Sequence, residues 1–315
     1  MANKILFQFP GQGAQAVGMG SSLAASHEAA RQVFEEVNEA LGEDLFSIMR
    51  DGPDEEIKLT RNAQPALFAT SMAAAAVLEK ESGKKISEMA SFVAGHSLGE
   101  YAALAAVGSI GIADGAKLLR LRGDAMQAAV AVGEGAMAAV LGADETLVDE
   151  VLESATSAGL VQLANDNAPG QIVISGAAAA VDAAIVAAKE RGIRKVIKLP
   201  VSAPFHCDLM APAADAMAEA LATTDIKDAS VPVVCNVTAA VENNADSLRQ
   251  NLITQVTGRV RWRESLVMLG EGGVTHFVEL GTGKVLSGLV KRTLSDMTTV
   301  NLDGPDDLDS VLSAL

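Results

Sequence analysis

Aromatic side chains are scarce in this chain: only 3% of its 315 residues are Phe, Trp or Tyr. Because hydrophobic residues still make up 49%, the core must be built from Ala, Val, Leu, Ile and Met, with helices lying close on a sheet. Two cysteines, Cys207 and Cys235, exclude a disulfide framework and a cysteine metal site. No uninterrupted apolar run approaches the ~20 residues that a membrane-spanning helix requires.

Positive charge is also in short supply. A formal net charge of −16 argues against a nucleic-acid partner or an anionic membrane surface. The amino terminus enters a strand pattern directly, without the layout of a signal peptide, so we expect a cytoplasmic protein. Two basic clusters stand out, at residues 191–198 and 284–292. Most such residues are solvated helix faces, but an acidic partner docking on one of them stays open.

Strand and helix patterns alternate along the chain, which indicates an α/β fold with a largely parallel sheet. Within it, residues 133–200 follow the order β-α-β-β-α-β of a ferredoxin-like unit. We therefore predict a large α/β-hydrolase-like domain, formed by residues 1–132 and 201–315, that carries residues 133–200 as a smaller inserted ferredoxin-like lobe. The predicted elements of the first part are strands at 4–9 and 89–94 and helices at 24–41, 65–81, 98–107 and 112–132.

The stretch 95–99 reads G-x-S-x-G between a strand pattern and a helical pattern. This is the context in which such a motif forms a sharp turn with an exposed serine hydroxyl. A helix N-terminus beneath the serine favours developing negative charge. We interpret Ser97 as a nucleophile, with an ordinary structural turn as the alternative.

An activated serine needs a base within hydrogen-bond reach, usually a histidine. Of the four histidines, His206 lies in a proline-braced loop after residues 133–200 and follows Ser97 along the chain, as in hydrolase-type sheets. A third, orienting group is less clear. The acidic residues between Ser97 and His206 all lie in the predicted lobe, so a dyad oriented by a backbone carbonyl or by an amide such as Gln255 is the simpler arrangement.

Two further features belong to the same site. The backbone N–H of Leu98, which follows the nucleophile, and that of Gln12, in a glycine-flanked turn, are placed to form an oxyanion hole; an ordinary turn is the alternative for Gln12. Arg122 lies among apolar residues on a helix. A buried guanidinium needs a carboxylate partner, either an internal Asp or Glu, which the sequence alone slightly favours, or the substrate.

Eight motifs, in order and covering nearly the whole chain, resemble the malonyl-CoA:acyl carrier protein transacylases of bacterial type II fatty acid synthesis. They are residues 9–15 (FPGQGAQ), 95–101 (GHSLGEY), 122–123 (RG), 135–138 (GAMA), 165–171 (NDNAPGQ), 204–206 (PFH), 233–237 (VVCNV) and 279–286 (ELGTGKVL).

The resemblance implies a ping-pong acyltransferase. Ser97 takes the malonyl group from malonyl-CoA as an ester and passes it to the phosphopantetheine thiol of acyl carrier protein, supplying malonyl groups for fatty acid elongation. In this scheme His206 is the base and Arg122 binds the malonyl carboxylate. The resemblance further assigns the oxyanion hole to Gln12 and Leu98, the support of the histidine to Gln255, and positions facing the site to Asn165 and Asn167.

Neither a metal nor a bound cofactor is expected, because both half-reactions exchange acyl groups of similar energy. The acyl carrier proteins of this pathway are acidic, as is this chain, so the carrier is expected to dock on a local basic patch, for which the clusters at 191–198 and 284–292 are the candidates. We expect a monomer. Three alternatives stay open: an acylhydrolase with the same Ser–His pair, an inactive carrier-binding scaffold, and a malonyl loader for polyketide synthesis. A neutral ester pocket would have no use for Arg122, which disfavours the hydrolase.

Phe205 departs from the pattern of the simplest bacterial members, which often carry a small residue before the histidine. A bulky ring here resembles malonyl-selective acyltransferase domains of polyketide synthases and would crowd an α-methyl group. We predict faster turnover of malonyl-CoA than of methylmalonyl-CoA in a carrier-loading assay. Equal turnover of the two thioesters would contradict this role of Phe205.

Overall fold

A computed structural model describes residues 3–201 and 203–315 of the chain. The strands are β1 (Ile5–Phe9), β2 (Phe92–Gly95), β3 (Gly135–Leu141), β4 (Val161–Ala168), β5 (Gln171–Ala177), β6 (Lys195–Lys198), β7 (Val233–Cys235), β8 (Ala240–Glu242), β9 (His276–Leu280) and β10 (Thr298–Leu302). The helices are α1 (Ser21–Ser26), α2 (Glu28–Leu41), α3 (Leu45–Asp51), α4 (Asp54–Lys58), α5 (Thr60–Ser82), α6 (Ile86–Met89), α7 (Gly99–Ala106), α8 (Ile112–Ala128), α9 (Glu145–Ala155), α10 (Ala178–Glu190), α11 (Ala211–Thr223), α12 (Ala245–Thr257), α13 (Trp262–Glu271), α14 (Val285–Thr293) and α15 (Leu308–Ala314).

The larger sheet has six strands in the order β10-β9-β1-β2-β7-β8. Its pairs are parallel from β10 to β7, and β8 joins β7 antiparallel at the edge. The carboxyl ends of parallel strands meet at one edge of a sheet. The loops after β1, β2, β7 and β9 therefore converge there, and the predicted α/β fold with a mainly parallel sheet is confirmed.

A smaller, four-stranded sheet has the order β4-β5-β3-β6, and all of its pairs are antiparallel. With α9 and α10 it follows the β-α-β-β-α-β order predicted for residues 133–200. It has a core of its own, in which Val140 and Ile174 of the sheet belong to one cluster with Val151 and Val181 of the helices. Strands β1 and β2, before this segment, and β7 to β10, after it, belong to the larger sheet.

Small side chains let the helices lie close to the sheet and to one another, as the low aromatic content predicts. Ile5, Phe7 and Phe9 of β1 belong to one core, whereas Leu6, whose side chain alternates with theirs, belongs to the core on the opposite face. Helix α5 is buried along most of its length and packs on α8. None of the described helices is both long and apolar enough to cross a membrane.

The prediction that a helix starts at Pro65 is wrong, because α5 begins five residues earlier, at Thr60. Pro65 therefore lies inside the helix and not in its first turn. A proline inside a helix cannot donate to the carbonyl four residues before it, which here is that of Arg61. The Arg120 guanidinium on α8 donates to this carbonyl over 2.6 Å and to Asn62 Oδ1 over 2.7 Å. A hydrogen bond from a distant residue therefore replaces the missing local one.

The strand predicted at 89–94 is also shorter than expected. Helix α6 occupies residues up to Met89, and its start is fixed by the Glu88 side chain, which accepts from the backbone N–H of Lys85 over 2.7 Å. The strand itself begins at Phe92 and continues to Gly95. The turn that carries Ser97 follows it directly, as predicted.

A pair of helix-interior glycines gives a test of this close packing. A Cβ at Gly115 of α8 would lie 2.5 Å from Cζ of the fully buried Phe68 ring, whereas a Cβ at Gly288 of α14 would meet nothing within 4 Å. Gly115→Ala should lower the free energy of unfolding by about 1–3 kcal/mol through overpacking. Gly288→Ala should leave it unchanged or raise it by up to about 1 kcal/mol, because alanine favours helix.

Denaturant unfolding of the two variants beside the parent protein measures both effects. A loss of stability at Gly288 equal to that at Gly115 would show that helix context, rather than the Phe68 ring, sets the cost.

Candidate active site

Ser97 sits on a strained turn at the carboxyl end of β2. Its φ is 51°, in the left-handed region that side-chain-bearing residues seldom adopt. A Cβ at Gly95 would lie 1.8 Å from the carbonyl oxygen of Gly99, and one at Gly99 would lie 2.3 Å from that of Phe9. Both flanking glycines are therefore required by the close approach of backbone to backbone.

Asn236, which directly follows β7, fixes this turn through hydrogen bonds to its backbone. Its Oδ1 accepts from the Ser97 N–H over 2.7 Å, and its Nδ2 donates to the Gly95 carbonyl over 2.7 Å. The Asn236 N–H in turn donates to Oε2 of Glu100 over 3.0 Å. One amide side chain thus fixes the backbone on both sides of His96 and aims the serine hydroxyl outward.

His206 meets Ser97 as the sequence predicts: its Nε2 lies 2.8 Å from Ser97 Oγ. Its Nδ1 faces two backbone carbonyls, those of Gln255 at 2.9 Å and Gly258 at 3.2 Å. Since carbonyls only accept, Nδ1 carries the proton and Nε2 is left to accept from the serine. The orienting group is therefore a backbone carbonyl and not a carboxylate, one of the two arrangements considered for the dyad.

The His206 imidazole is neutral in this environment. Burial, followed by the nearby Arg122 guanidinium, lowers its pKa from 6.5 to about 3, because both disfavour the imidazolium. A neutral imidazole with a free Nε2 lone pair is the state that a general base requires.

Arg122 is fully buried, 1% exposed, and its Nη2 donates to Ser97 Oγ over 3.1 Å. Two amide oxygens accept its other hydrogen bonds: Gln64 Oε1 from Nη1 over 2.7 Å and Gln255 Oε1 from Nη2 over 2.9 Å. Its Nε is buried and has no hydrogen-bond partner among the described residues. No described Asp or Glu forms an ion pair with Arg122, so the internal carboxylate that the sequence slightly favoured is absent from this part of the chain.

The position of Arg122 depends on its neighbour Gly123. A Cβ at Gly123 would lie 2.6 Å from Cα of Arg61 and 2.8 Å from the Thr60 carbonyl oxygen. Only glycine lets α8 approach the first turn of α5 so closely. That approach brings the guanidinium of Arg122 to Gln64, one turn along α5.

Gln255 is the most connected side chain of the site and is completely buried. Besides accepting from Arg122, its Nε2 donates to the Ser97 carbonyl over 3.1 Å and to Glu100 Oε2 over 2.9 Å. Its own backbone carbonyl holds His206. It therefore contacts the nucleophile, the base and the guanidinium at once, a larger role than support of the histidine alone.

Gln12 and Leu98, the residues predicted to form the oxyanion hole, lie in the loops that follow β1 and β2. Leu98 is the N-cap residue of α7, so its N–H has no carbonyl partner inside the helix. Gln12 is in the loop after β1, and its Oε1 accepts from Thr60 Oγ1 over 3.2 Å. Thr60 Oγ1 accepts from Gln64 Nε2 over 3.0 Å, which links the Gln12 loop to the Arg122 network.

Asn165, Asn167 and Phe205 lie nearby but do not contact the serine hydroxyl. Asn167 Oδ1 lies 2.8 Å from Nε2 of His96, the residue before Ser97. Asn165 is buried and bridges β4 to Val260. Phe205 is buried within the main core.

Comparisons with known proteins find relatives over nearly the whole chain. The Acyl transferase domain family matches residues 6–307. The malonyl CoA-acyl carrier protein transacylase of Bacillus subtilis (strain 168) is 47% identical over 314 residues, 99% of this chain and 98% of that one. The enzyme of the same name from Escherichia coli (strain K12) is 42% identical over 306 residues, 97% and 98% of the two chains.

The crystal structure of acyl-carrier-protein-S-malonyltransferase from Bartonella henselae superimposes with a TM-score of 0.96 at 48% identity, covering 98% of each chain. The chain belongs to the malonyl-CoA:acyl carrier protein transacylase family. Its members are acyltransferases, and the matches run through the whole enzyme rather than one motif.

Three residues of this acyltransferase were not predicted as part of the site: Gln64, Glu100 and Asn236. Glu100 and Asn236 lie inside motifs of the family, but neither bears the reactive chemistry that the sequence search sought. Asn236 had a detectable signal, since it is a polar residue directly after a buried parallel strand and so belongs to the functional edge of the sheet. Gln64 had none, because it is one polar residue within an otherwise buried helix.

Both basic clusters of the enzyme leave charged side chains exposed, among them Arg194 and Lys195 in the first. In the first, Lys198 pairs with Asp182 at 2.8 Å and Arg191 lies 4.0 Å from Glu150. In the second, Lys284 and Lys291 are exposed at the start and end of α14.

Among the described residues, no group of three or more His, Cys, Asp or Glu side chains is placed to hold a metal ion.

The lowered pKa of His206 predicts an unusual pH dependence for the reactivity of Ser97. With a neutral reagent such as phenylmethylsulfonyl fluoride, the rate of adduct formation should stay near its maximum as pH falls through 6.5, the ordinary pKa of histidine, because His206 stays unprotonated there. The rate should fall only as pH approaches the lowered value.

Arg122→Gln should move this acid limb towards higher pH, since it removes a positive charge that disfavours the imidazolium. His206→Gln, the control, should react roughly 10²–10⁴-fold more slowly wherever His206 of the parent enzyme is unprotonated. Intact-protein mass against time measures all three rates. A midpoint at 6.5 in the parent enzyme would refute a depressed histidine pKa.

Proposed function

We propose that the enzyme transfers the malonyl group of malonyl-CoA to the phosphopantetheine thiol of an acyl carrier protein, by a ping-pong mechanism through a malonyl ester of Ser97. The product supplies fatty acid chain elongation. One observation carries the proposal: Ser97 Oγ lies within hydrogen-bond distance of a neutral base, at 2.8 Å, and of a buried guanidinium, at 3.1 Å. The names of the full-length relatives support the same donor and acceptor.

In the first half-reaction, His206 Nε2 takes the proton of Ser97 Oγ as the oxygen attacks the thioester carbonyl. The backbone N–H groups of Leu98 and Gln12 stabilise the negative charge that develops on the carbonyl oxygen. The carbon–sulfur bond then breaks, and the imidazolium returns its proton to the departing CoA sulfur. The Nδ1–H bond to the Gln255 carbonyl keeps the ring aligned throughout.

In the second half-reaction, the carrier's thiol replaces CoA. Its proton passes to His206 Nε2 as its sulfur attacks the ester carbonyl, and Ser97 Oγ leaves with that proton. Since a thioester is consumed and a thioester is formed, the exchange calls for no ATP, metal or redox cofactor. Residues 133–200, which we propose to be an inserted lobe on a discontinuous α/β-hydrolase-like domain, would help to keep water from the ester.

Arg122 supplies acyl-group selectivity in this mechanism. Its Nε has no partner within residues 3–201 and 203–315, and the hydrogen bond from its Nη2 to Ser97 Oγ weakens once that oxygen becomes an ester oxygen. A carboxylate can satisfy both N–H groups as a bidentate acceptor. A malonyl group has that carboxylate and an acetyl group lacks it.

Brief mixing with malonyl-CoA or, separately, acetyl-CoA followed by intact-protein mass measurement tests the proposal. The parent enzyme should gain a malonyl-sized adduct that Ser97→Ala lacks. Arg122→Ala should acquire it roughly 30-fold more slowly or worse, since losing a buried, hydrogen-bonded charge partner costs about 2 kcal/mol or more. Reaction with acetyl-CoA should change far less in Arg122→Ala.

Equal adduct yields from both thioesters, unaffected by Arg122→Ala, would preserve the serine nucleophile and refute malonyl selectivity. Loss of the adduct to water faster than to a carrier thiol would instead indicate an acylhydrolase.

A further inference from the structure

Glu100, the second residue of α7, places a carboxyl group directly beneath Ser97. It is 1% exposed. Its Oε2 accepts two hydrogen bonds, from Gln255 Nε2 over 2.9 Å and from the Asn236 N–H over 3.0 Å. Its Oε1 is buried and accepts none from the described residues. The mechanism above assigns this carboxyl no task.

The carboxyl of Glu100 fixes the orientation of the Gln255 amide. A carboxylate only accepts, so the amide nitrogen of Gln255 must face it, and the amide oxygen must then face Arg122 Nη2, 2.9 Å away. If the amide turned over, its nitrogen would face the guanidinium, donor against donor. Glu100 therefore determines, through the orientation of the Gln255 amide, the position of the oxygen that accepts from Arg122.

Glu100 also acts on Arg122 by charge. The groups that face its carboxyl are Arg122 from α8, Gln255 from α12, Cys235 and Asn236 at the end of β7, and Tyr101 beside it. Of these, only Arg122 is charged at neutral pH. Burial raises the pKa of Tyr101 to about 12 and raises that of the Cys235 thiol above its ordinary value.

Burial also raises the pKa of Glu100 itself to about 7, although its hydrogen bonds and Arg122 act in the opposite direction. Both protonation states are therefore accessible near neutral pH. A second negative charge brought to Arg122 would favour the protonated one, since two carboxylates around a single buried cation repel each other. Oε1, to which no backbone or amide N–H of the described residues donates, is the oxygen free to receive the proton.

We propose that Glu100 is a positioning residue whose carboxylate balances Arg122 while the site is empty and takes up one proton from solvent when the carboxylate of an acyl group binds Arg122. This inference rests on the proposed function, which supplies the carboxylate. The buried site then holds one cation and one anion both before and after binding. An acyl group without a carboxylate leaves Glu100 ionised.

Calorimetric titration of Ser97→Ala with malonyl-CoA, in phosphate and in Tris buffer, measures the proton directly, because this variant binds without forming the ester. At the pKa of about 7, roughly half a proton per site should be taken up, since half of the carboxyls are already protonated. Acetyl-CoA, which carries the same CoA phosphates, should give almost no uptake.

Glu100→Gln in the Ser97→Ala background is the matched variant, because its amide oxygen can accept both hydrogen bonds of Oε2 while the side chain stays neutral. Proton uptake should vanish. Above neutral pH, the affinity of Ser97→Ala for malonyl-CoA should fall by up to about tenfold per pH unit, whereas that of the double variant should not.

Three results would overturn the inference: equal proton uptake with malonyl-CoA and acetyl-CoA, uptake that persists in Glu100→Gln, or binding of malonyl-CoA to Ser97→Ala without uptake. The last comparison needs no Glu100 variant, so it stands even if Glu100→Gln fails to fold. Failure of the parent enzyme to form a malonyl ester is a separate outcome, and it would overturn the proposed function together with this inference.

Discussion

The burial of one guanidinium beside a serine hydroxyl is the constraint around which the site is organised. Removing Arg122 from water is costly unless hydrogen bonds replace its hydration, and the chain supplies them from Gln64 on α5 and Gln255 on α12. Because these direct acceptors are neutral amides, no described carboxylate forms an ion pair with the guanidinium. Its N–H groups therefore stay available to a negatively charged ligand, and burial together with this positive charge holds the pKa of the neighbouring imidazole well below its usual value.

A continuous set of hydrogen bonds spreads from this cation to the ends of three strands. It runs by way of Gln64 and Thr60 to Gln12 in the loop after β1, and by way of Gln255 and Glu100 to Asn236 after β7. The turn after β2 lies between them. Each strand end contributes a backbone loop whose position is fixed by amide side chains. The residues that hydrogen-bond to the nucleophile, the base and the cation are thus fixed by further hydrogen bonds of their own.

How far the sequence predicts this site depends on what each residue has to do. Ser97 was predictable because the steric demand of its turn forces glycine at two fixed positions, and His206 because a serine nucleophile needs a base and few histidines are present. Gln64 and Glu100 were not, since their roles come from contacts between elements far apart in the chain. Pro65 shows the same limit: its place inside α5 depends on Arg120, a residue 55 positions later, whose hydrogen bond replaces the missing one.

The single bridge between Asn165 and Val260 gives the smaller sheet an influence on the base. Val260 donates to the Ala164 carbonyl over 2.8 Å and accepts from the Asp166 N–H over 2.9 Å, and the Gly258 carbonyl that faces His206 Nδ1 lies two residues before it. Strand β4 cannot shift without carrying this short segment along. A protein that docked on the smaller sheet and shifted it would therefore move the Gly258 carbonyl, which faces Nδ1 of the imidazole. Such an effect would not pass through the substrate cleft.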